Sequence, residues 1–224
     1  MKVSIIVPVL DEAATLPELL AHLLPFERHG CEVLLVDGGS IDGSAALAAA
    51  AGFRVLGAEP GRAGQMNAGG RAARGDVFVF LHADTRLPAG ACAAIGLGLS
   101  GGNRVWGRFD VTIAGRSRGL GMVAFCMNLR SRWTGIATGD QAIFVTRDAF
   151  EASGGFPEQP LMEDVELSRR LKRISAPVSL RQRVVTSGRR WDSAGLWTTT
   201  LLMWRLRFAY WLGASPECLA AIYK

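Results

Sequence analysis

Val3-Ser4-Ile5-Ile6-Val7-Pro8-Val9-Leu10-Asp11-Glu12 decides how the rest of the chain is read. Eight residues, all but Ser4 apolar and five of them β-branched, run without alternation and then stop at two acids. An unbroken apolar run bounded by polar residues is the pattern of a strand buried on both faces, as in a parallel sheet. Working outward, Thr15-x-x-Glu18 with Pro17 between them has the form of a capping box opening a helix to about Arg28, stopped by Gly30. Val33–Val36 is a second buried strand ending at Asp37, Ser44–Ala51 an alanine-rich helix closed by Gly52, Phe53–Leu56 a third strand, Ala63–Ala73 a helix, and Val77–Leu81 a fourth strand running into His82-Ala83-Asp84. The alternation β-α-β-α-β-α-β over residues 1–84 predicts an α/β fold with a mostly parallel, Rossmann-type central sheet flanked by helices. Ligands of such sheets bind beyond the carboxyl ends of the strands, and three of those ends carry Asp11-Glu12, Asp37 and Asp84.

Beyond Asp84 the reading predicts helices at Leu87–Leu99, Gly119–Trp133, Glu163–Ile174 and Leu196–Leu212, and strands at Val105–Ile113, Ala142–Thr146 and Val178–Thr186. No linker or repeat interrupts the chain. One domain over 1–224 is expected, with a nucleotide-binding half (1–84), a second half (85–195) and C-terminal helices (196–224).

Composition narrows the class. Of 224 residues 49% are hydrophobic and 20% charged, which excludes disorder as the main state. The 27 glycines have no period, which excludes a collagen-like chain. The four cysteines, Cys31, Cys92, Cys126 and Cys218, contain no C-x-x-C pair; buried thiols in a reducing compartment are expected rather than a zinc or disulfide framework. Net charge is +5, and of 25 basic residues only Lys2, Lys172 and Lys224 are lysines. The arginine excess reads either as a GC-rich genome or as affinity for phosphate-bearing molecules or an anionic membrane surface. No basic run with interleaved aromatics occurs, so nucleic acid is not an expected partner. The opening residues do not form a signal peptide, and Arg205 and Arg207 interrupt the last apolar stretch, so no spanning helix is expected.

Several motifs carry chemistry. Gly96-Leu97-Gly98-Leu99-Ser100-Gly101 fits G-x-G-x-x-G but follows a helix, not a strand, and no Gly-Lys pair supplies a Walker loop. The glycines after Asp37 let a backbone approach a ligand, although Asp37 and Asp42 equally suit a plain β-α turn with a helix cap. Asp84 can anchor a hard cation such as Mg²⁺ or Mn²⁺, which needs few protein carboxylates when phosphate and water supply the rest; two positions back on an extended chain, His82 reads either as a second ligand or as a satisfied core histidine. Glu163 and Asp164 open a helix that ends in Arg169 and Arg170. They read as capping charges or as carboxylates facing a pocket, one a general base. Trp197, Leu201, Trp204, Phe208 and Trp211 share one helical face. Packing on the domain is the expected reading; a membrane-surface helix spanning 196–213 is the alternative.

In order along the chain these pieces resemble the family 2 glycosyltransferases, which have the GT-A fold. Val3–Glu12 is similar to that family's opening strand, Val36–Gly43 to its V-D-D-G-S-x-D-G, Gly61–Gly69 to the segment closing on the diphosphate, His82-Ala83-Asp84 to D-x-D, Met162-Glu163-Asp164 to its E-D, and Arg189-Arg190-Trp191 to the end of Q-x-x-R-W. The resemblance covers about residues 1–195 and is nearest to a small bacterial subgroup associated with arsenosugar-type metabolite biosynthesis, marked by Leu81–Thr85, Gly139-Asp140-Gln141 and Gly154–Pro157. It implies an inverting, single-sugar transferase acting from a nucleotide-sugar donor. Pro8, Leu10, Glu12 and Asp37 would hold base and ribose; Arg62 and a cation on Asp84, with His82, the diphosphate. Asp164 would be the base. Gly139, Asp140, Gln141, Glu163, Arg189, Arg190 and Trp191 would lie on the acceptor side. Gly38 stands where the family often has the uracil-reading Asp, which leaves the base open. A small-molecule or lipid-like acceptor and a cytoplasmic location, with the inner membrane face as a peripheral site, complete the expectation. A non-catalytic nucleotide-sugar binding protein is the rival reading.

Overall fold

The computed structural model describes residues 1–223 and contains one eight-stranded sheet in the order β3-β2-β1-β4-β7-β6-β8-β5. Strands β1 (Val3–Val9), β2 (Glu32–Asp37), β3 (Arg54–Gly57) and β4 (Val77–Phe80) are parallel and neighbouring, as the alternation of the first third requires. Helices α1 (Leu16–Arg28), α2 (Ser44–Ala50) and α3 (Arg62–Ala72) are the crossovers between them. The sheet continues through β7 (Ile143–Thr146), antiparallel to β4, and β6 (Trp106–Ala114), antiparallel to β7. β8 (Val178–Ser187) runs parallel to β6 and pairs with the two-residue β5 (Thr85–Arg86). The remaining helices are α4 (Ala91–Leu99), α5 (Leu120–Thr134), α6 (Arg147–Ala152), α7 (Glu163–Lys172), α8 (Arg189–Ala194), α9 (Leu196–Trp211) and α10 (Pro216–Tyr223).

The central strands are apolar throughout because both faces are covered. Val3, Ile5 and Val7 face one core with Leu16, Leu19 and Leu23 of α1; Ile6, Leu34, Val36, Phe78 and Phe80 face the other, with Met66, Phe150 and Leu167. At Gly69 an added Cβ would meet Ile6 Cγ2 at 2.4 Å, so a glycine lets α3 lie directly on β1.

Four expectations are corrected. Thr15 and Glu18 do not close a capping box: the Thr15 hydroxyl donates to Glu12 Oε2 (2.7 Å). The helix expected from Leu87 starts at Ala91, because Thr85-Arg86 pairs with β8 and the chain turns after Pro88. The cysteines are not deeply buried; all are free, Cys218 is exposed, and the Cys31 and Cys92 sulfurs lie 2.8 Å apart although 61 residues separate them. The stripe on α9 does not pack on the domain. Trp197 is 73% exposed and Phe208 60%, with Leu201, Trp204 and Trp211 similar. The opposite face of the helix does the packing, through Leu202, Leu206 and Ala209 against Met162, Val165 and Leu219. Helical spacing identifies residues that share a face but not what covers it. Among the described residues no helix is long and apolar enough to cross a membrane.

Candidate active site

The carboxyl ends of β1 and β4 open into a cleft of about 1610 Å³, lined on that side by Pro8, Leu10, Glu12, His82 and Asp84 and on the other by α5, the start of α7, and α9. The acids arrive there by different local devices. Glu12 follows β1 directly, where it is held by Thr15 and lies 3.4 Å from Arg189 of α8. Asp84 follows β4, and its Oδ2 is 3.9 Å from the same guanidinium.

Across the cleft, Met162 takes a left-handed backbone conformation (φ 66°) and sets the direction in which α7 begins. A non-glycine residue there costs on the order of 1–3 kcal/mol, a strain that is retained where the surroundings hold it; the buried Met162 side chain is fixed against Leu206 and Leu219. The turn delivers Glu163 and Asp164 to the cleft. Asp164 Oδ2 accepts from the Gly139 amide (2.8 Å) and Oδ1 from the Val165 amide (2.7 Å). Each oxygen keeps a free lone pair, so the carboxylate is oriented but still able to accept a proton. Glu163 is buried and lies 3.5 Å from Arg62 Nη1. Burial, reinforced by the charge of Asp164, holds its carboxyl above the usual carboxylate range. Asp140 shows the reverse balance: removal from water would raise its pKa, but His82, Arg62 and Arg207 outweigh that and hold it low.

His82 Nδ1 lies 3.5 Å from Asp140 Oδ1, and its ring packs on Gly139. Among the described residues no three His, Cys, Asp or Glu side chains converge on one point. The donor set fits a divalent cation held by one carboxylate, Asp84, with diphosphate and water completing its shell, rather than an all-protein cage.

Most residues expected at the site line the cleft: Pro8, Leu10, Glu12, Arg62, His82, Asp84, Gly139, Asp140, Glu163, Asp164, Arg189, Arg190 and Trp191. Two do not. Asp37 spends its carboxylate on the following turn, accepting from the Gly39 and Ser40 amides and the Ser40 hydroxyl. Gln141 is fully buried; its Oε1 accepts from the Thr138 amide and its Nε2 donates to Asn128 Oδ1, so it braces the loop carrying Gly139 and Asp140. Arg190 is also committed, donating to the Tyr223 carbonyl and stacking 3.6 Å over the Tyr223 ring. Beside Gly38 a side chain would meet Gln65 at 3.0 Å; Gln65 donates to the Val9 and Val36 carbonyls and occupies that space. The sequence reading missed Arg130, Arg207 and Tyr223, which also line the cleft. None of the three sits in a motif, and only the interruption of the α9 apolar stretch by arginine hinted at Arg207.

The model of the family described as Glycosyl transferase family 2 matches residues 4–116. The chain is similar to an undecaprenyl-phosphate 4-deoxy-4-formamido-L-arabinose transferase of Pseudomonas fluorescens, 38% identical over an alignment of 97 residues, with 38% of this chain and 29% of that protein covered. The namesake protein of Aeromonas hydrophila is 35% identical over 97 residues, 38% of this chain and 30% of that one. The matched stretch thus spans under a third of these relatives. Among solved structures, S. aureus TarS 1-349 in complex with UDP-GlcNAc has a TM-score of 0.66 at 17% identity, covering 84% of this chain and 58% of that one. Glucosyl-3-phosphoglycerate synthase from Mycobacterium tuberculosis, in complex with Mn2+, UDP and glucosyl-3-phosphoglycerate, has a TM-score of 0.59 at 18% identity, covering 83% and 70%. At these identities the likeness is one of fold.

Proposed function

Because this chain belongs to glycosyl transferase family 2, we propose that it moves one sugar from a nucleotide-sugar donor to an acceptor oxygen in this cleft, with inversion. The observation that carries the reading is that Asp84 and Glu12, at the strand ends, face Asp164, at a helix start, across a single cavity. Pro8, Leu10 and Glu12 border the donor; Asp37 shapes the turn beside it. A Mg²⁺ or Mn²⁺ on Asp84 would supply positive charge to the departing diphosphate, and Arg189 and Arg62 add to it from the protein. His82 orients Asp140 on the acceptor side, next to Gly139. With a hydroxyl acceptor, Asp164 takes the proton as the oxygen attacks. With a lipid phosphate, of the kind named for the relatives, the attacking oxygen is already anionic. Those relatives and the uncovered face of α9 favour a lipid-linked acceptor over an arsenosugar-type one, and a cytoplasmic chain resting peripherally on the membrane through 196–213.

Binding of UDP-, GDP- and TDP-sugars with and without Mn²⁺, to wild type and Asp84→Ala, tests this. Cation-dependent binding of one donor, lost in Asp84→Ala, is expected. A folded protein that binds none sinks the reading. Binding without any turnover across acceptors would favour a non-catalytic nucleotide-sugar binding protein.

A further inference from the structure

Two arginines outside every motif stand on the far wall of the cleft. Arg130 comes from α5 and Arg207 from α9, 77 positions apart in sequence, and both line the cavity. Each has a buried Nη2 without a hydrogen-bond partner. The ion pairs of the cleft, Arg62 with Glu163 and Arg189 with Glu12, pass both by. Burial and the nearby charge of Arg207 pull Arg130 down to about 9, and burial lowers Arg207 as well. Two half-buried like charges, each with a nitrogen left without a partner and close enough to repel, are costly to keep, and the Asp164 carboxylate offsets that only in part. A single phosphate would satisfy both, since its oxygens accept from two guanidinium forks at once.

Position distinguishes this pair from the donor's anion site. The strand-end group around Asp84, Glu12 and Arg189 sits on one wall. Arg207 is instead within the field of Asp164 and Asp140, on the acceptor side. Beside the pair the cleft is mostly apolar: Met122 of α5 and Trp197, Leu201, Trp204 and Phe208 of α9 line it and are exposed, with Thr200 and Arg205 among them. A half-buried cationic end opening into an exposed aromatic trough is complementary to a phosphate on a long hydrocarbon chain.

We infer that Arg130 and Arg207 hold the phosphate of a polyisoprenyl-phosphate-type lipid acceptor whose chain lies between α5 and α9. The inference rests on the reading of this cleft as a glycosyltransferase site. In the transfer a phosphate oxygen of the lipid attacks the anomeric carbon. The bond from that carbon to the donor's diphosphate breaks, and its electron pair leaves with the diphosphate. No proton has to be removed from the attacking oxygen.

The test is a titration of the whole chain with farnesyl phosphate, farnesol and inorganic phosphate, read by the fluorescence of the trough tryptophans, with donor-nucleotide binding measured in parallel. Farnesyl phosphate is expected to bind at least about tenfold tighter than farnesol, and Arg130→Gln/Arg207→Gln to lose at least about that factor, as for a lost charge-assisted hydrogen bond, with nucleotide affinity unchanged. Arg130→Lys/Arg207→Lys, which keeps the charge without the fork, is expected to fall between. Equal binding of farnesol and farnesyl phosphate overturns the proposal. So does inorganic phosphate competing at the same concentration as farnesyl phosphate, or loss of nucleotide binding in the arginine variants, which would move the pair to the donor. If wild type binds farnesyl phosphate through the arginines but no nucleotide, the lipid-phosphate site stands and the transferase reading falls.

Discussion

Beside the strand-end wall of the cleft, Asp37 spends its carboxylate on Gly39 and Ser40 and Gln65 spends its amide on two strand carbonyls, whereas on the α5–α9 wall Arg130 and Arg207 each leave a buried nitrogen without a partner. The first wall is finished by its own backbone. Turns and strand ends supply short, fixed partners, and even the carboxylates of Glu12 and Asp84 lie 3.4 Å and 3.9 Å from Arg189. The second wall is made of long side chains from two helices remote in sequence, with Trp197, Trp204 and Phe208 uncovered beside them. Buried polar groups are normally paired, so a wall with unpaired cations and bare apolar surface is complete only when a ligand of matching chemistry fills it.

The largest effect separates the walls by acceptor. Asp164→Asn is expected to lower turnover with an alcohol acceptor by about 10²–10⁴-fold, the range for a general base, and to do far less with a prenyl phosphate, which brings its own anionic oxygen. Steady-state rates with both acceptors check this; equal losses would put the base requirement back into the lipid reaction. Next is the anchor of the second wall. Leu206 is 1% exposed and packs on Met162, directly before the α7 carboxyls. Leu206→Ala should cost about 2–5 kcal/mol in denaturant unfolding, whereas Trp204→Ser on the opposite face of the same helix should stay within about 0.5 kcal/mol. Similar losses from both would show that the stripe is packed after all.

A smaller effect has the opposite sign. If Arg130 and Arg207 are kept for a ligand, Arg130→Gln should raise the melting temperature of the ligand-free protein, corresponding to about 1 kcal/mol, because it removes a charge that burial and Arg207 both disfavour. A fall would mean that an internal partner exists. The last effect is one of pH. Glu163 has a folded pKa above its unfolded value, so its contribution to stability is present at pH below that unfolded value and is lost as pH rises through the folded one. Asp140, held low, contributes above its unfolded pKa and loses that contribution as pH falls. Melting curves from about pH 3 to 8, bracketing ordinary carboxylate values, should therefore show Glu163→Gln gaining on wild type toward neutral pH and Asp140→Asn losing ground in the same direction.

Much of the first wall was readable in order along the chain. Unbroken β-branched runs gave away β1, β2 and β4, because strands covered on both faces need no polar positions, and the acids marking their ends fall where a parallel sheet exposes its carboxyl edge. The sequence could not say which acid would face the cleft. Asp37 ends β2 and Asp84 lies four residues past β4, yet what separates them locally is that Asp37 has a serine three residues on to close a turn with and Asp84 does not. The short helix α8 leaves no trace in the sequence, because its six residues carry too little periodicity to register.

What the sequence by itself determined was the parallel half-sheet, the acids at its edge and the helix that begins with Glu163-Asp164, all of which follow from spacing within one element or its immediate neighbours. What only the tertiary structure decided was what those groups face. It buried Gln141 against Asn128, turned the aromatic stripe of α9 outward by packing Leu206 inward, and brought Arg130 and Arg207 onto one wall. The physical reason is that periodicity encodes which residues share a face, while burial, pairing and repulsion depend on the second surface that meets it, and that surface comes from elsewhere in the chain.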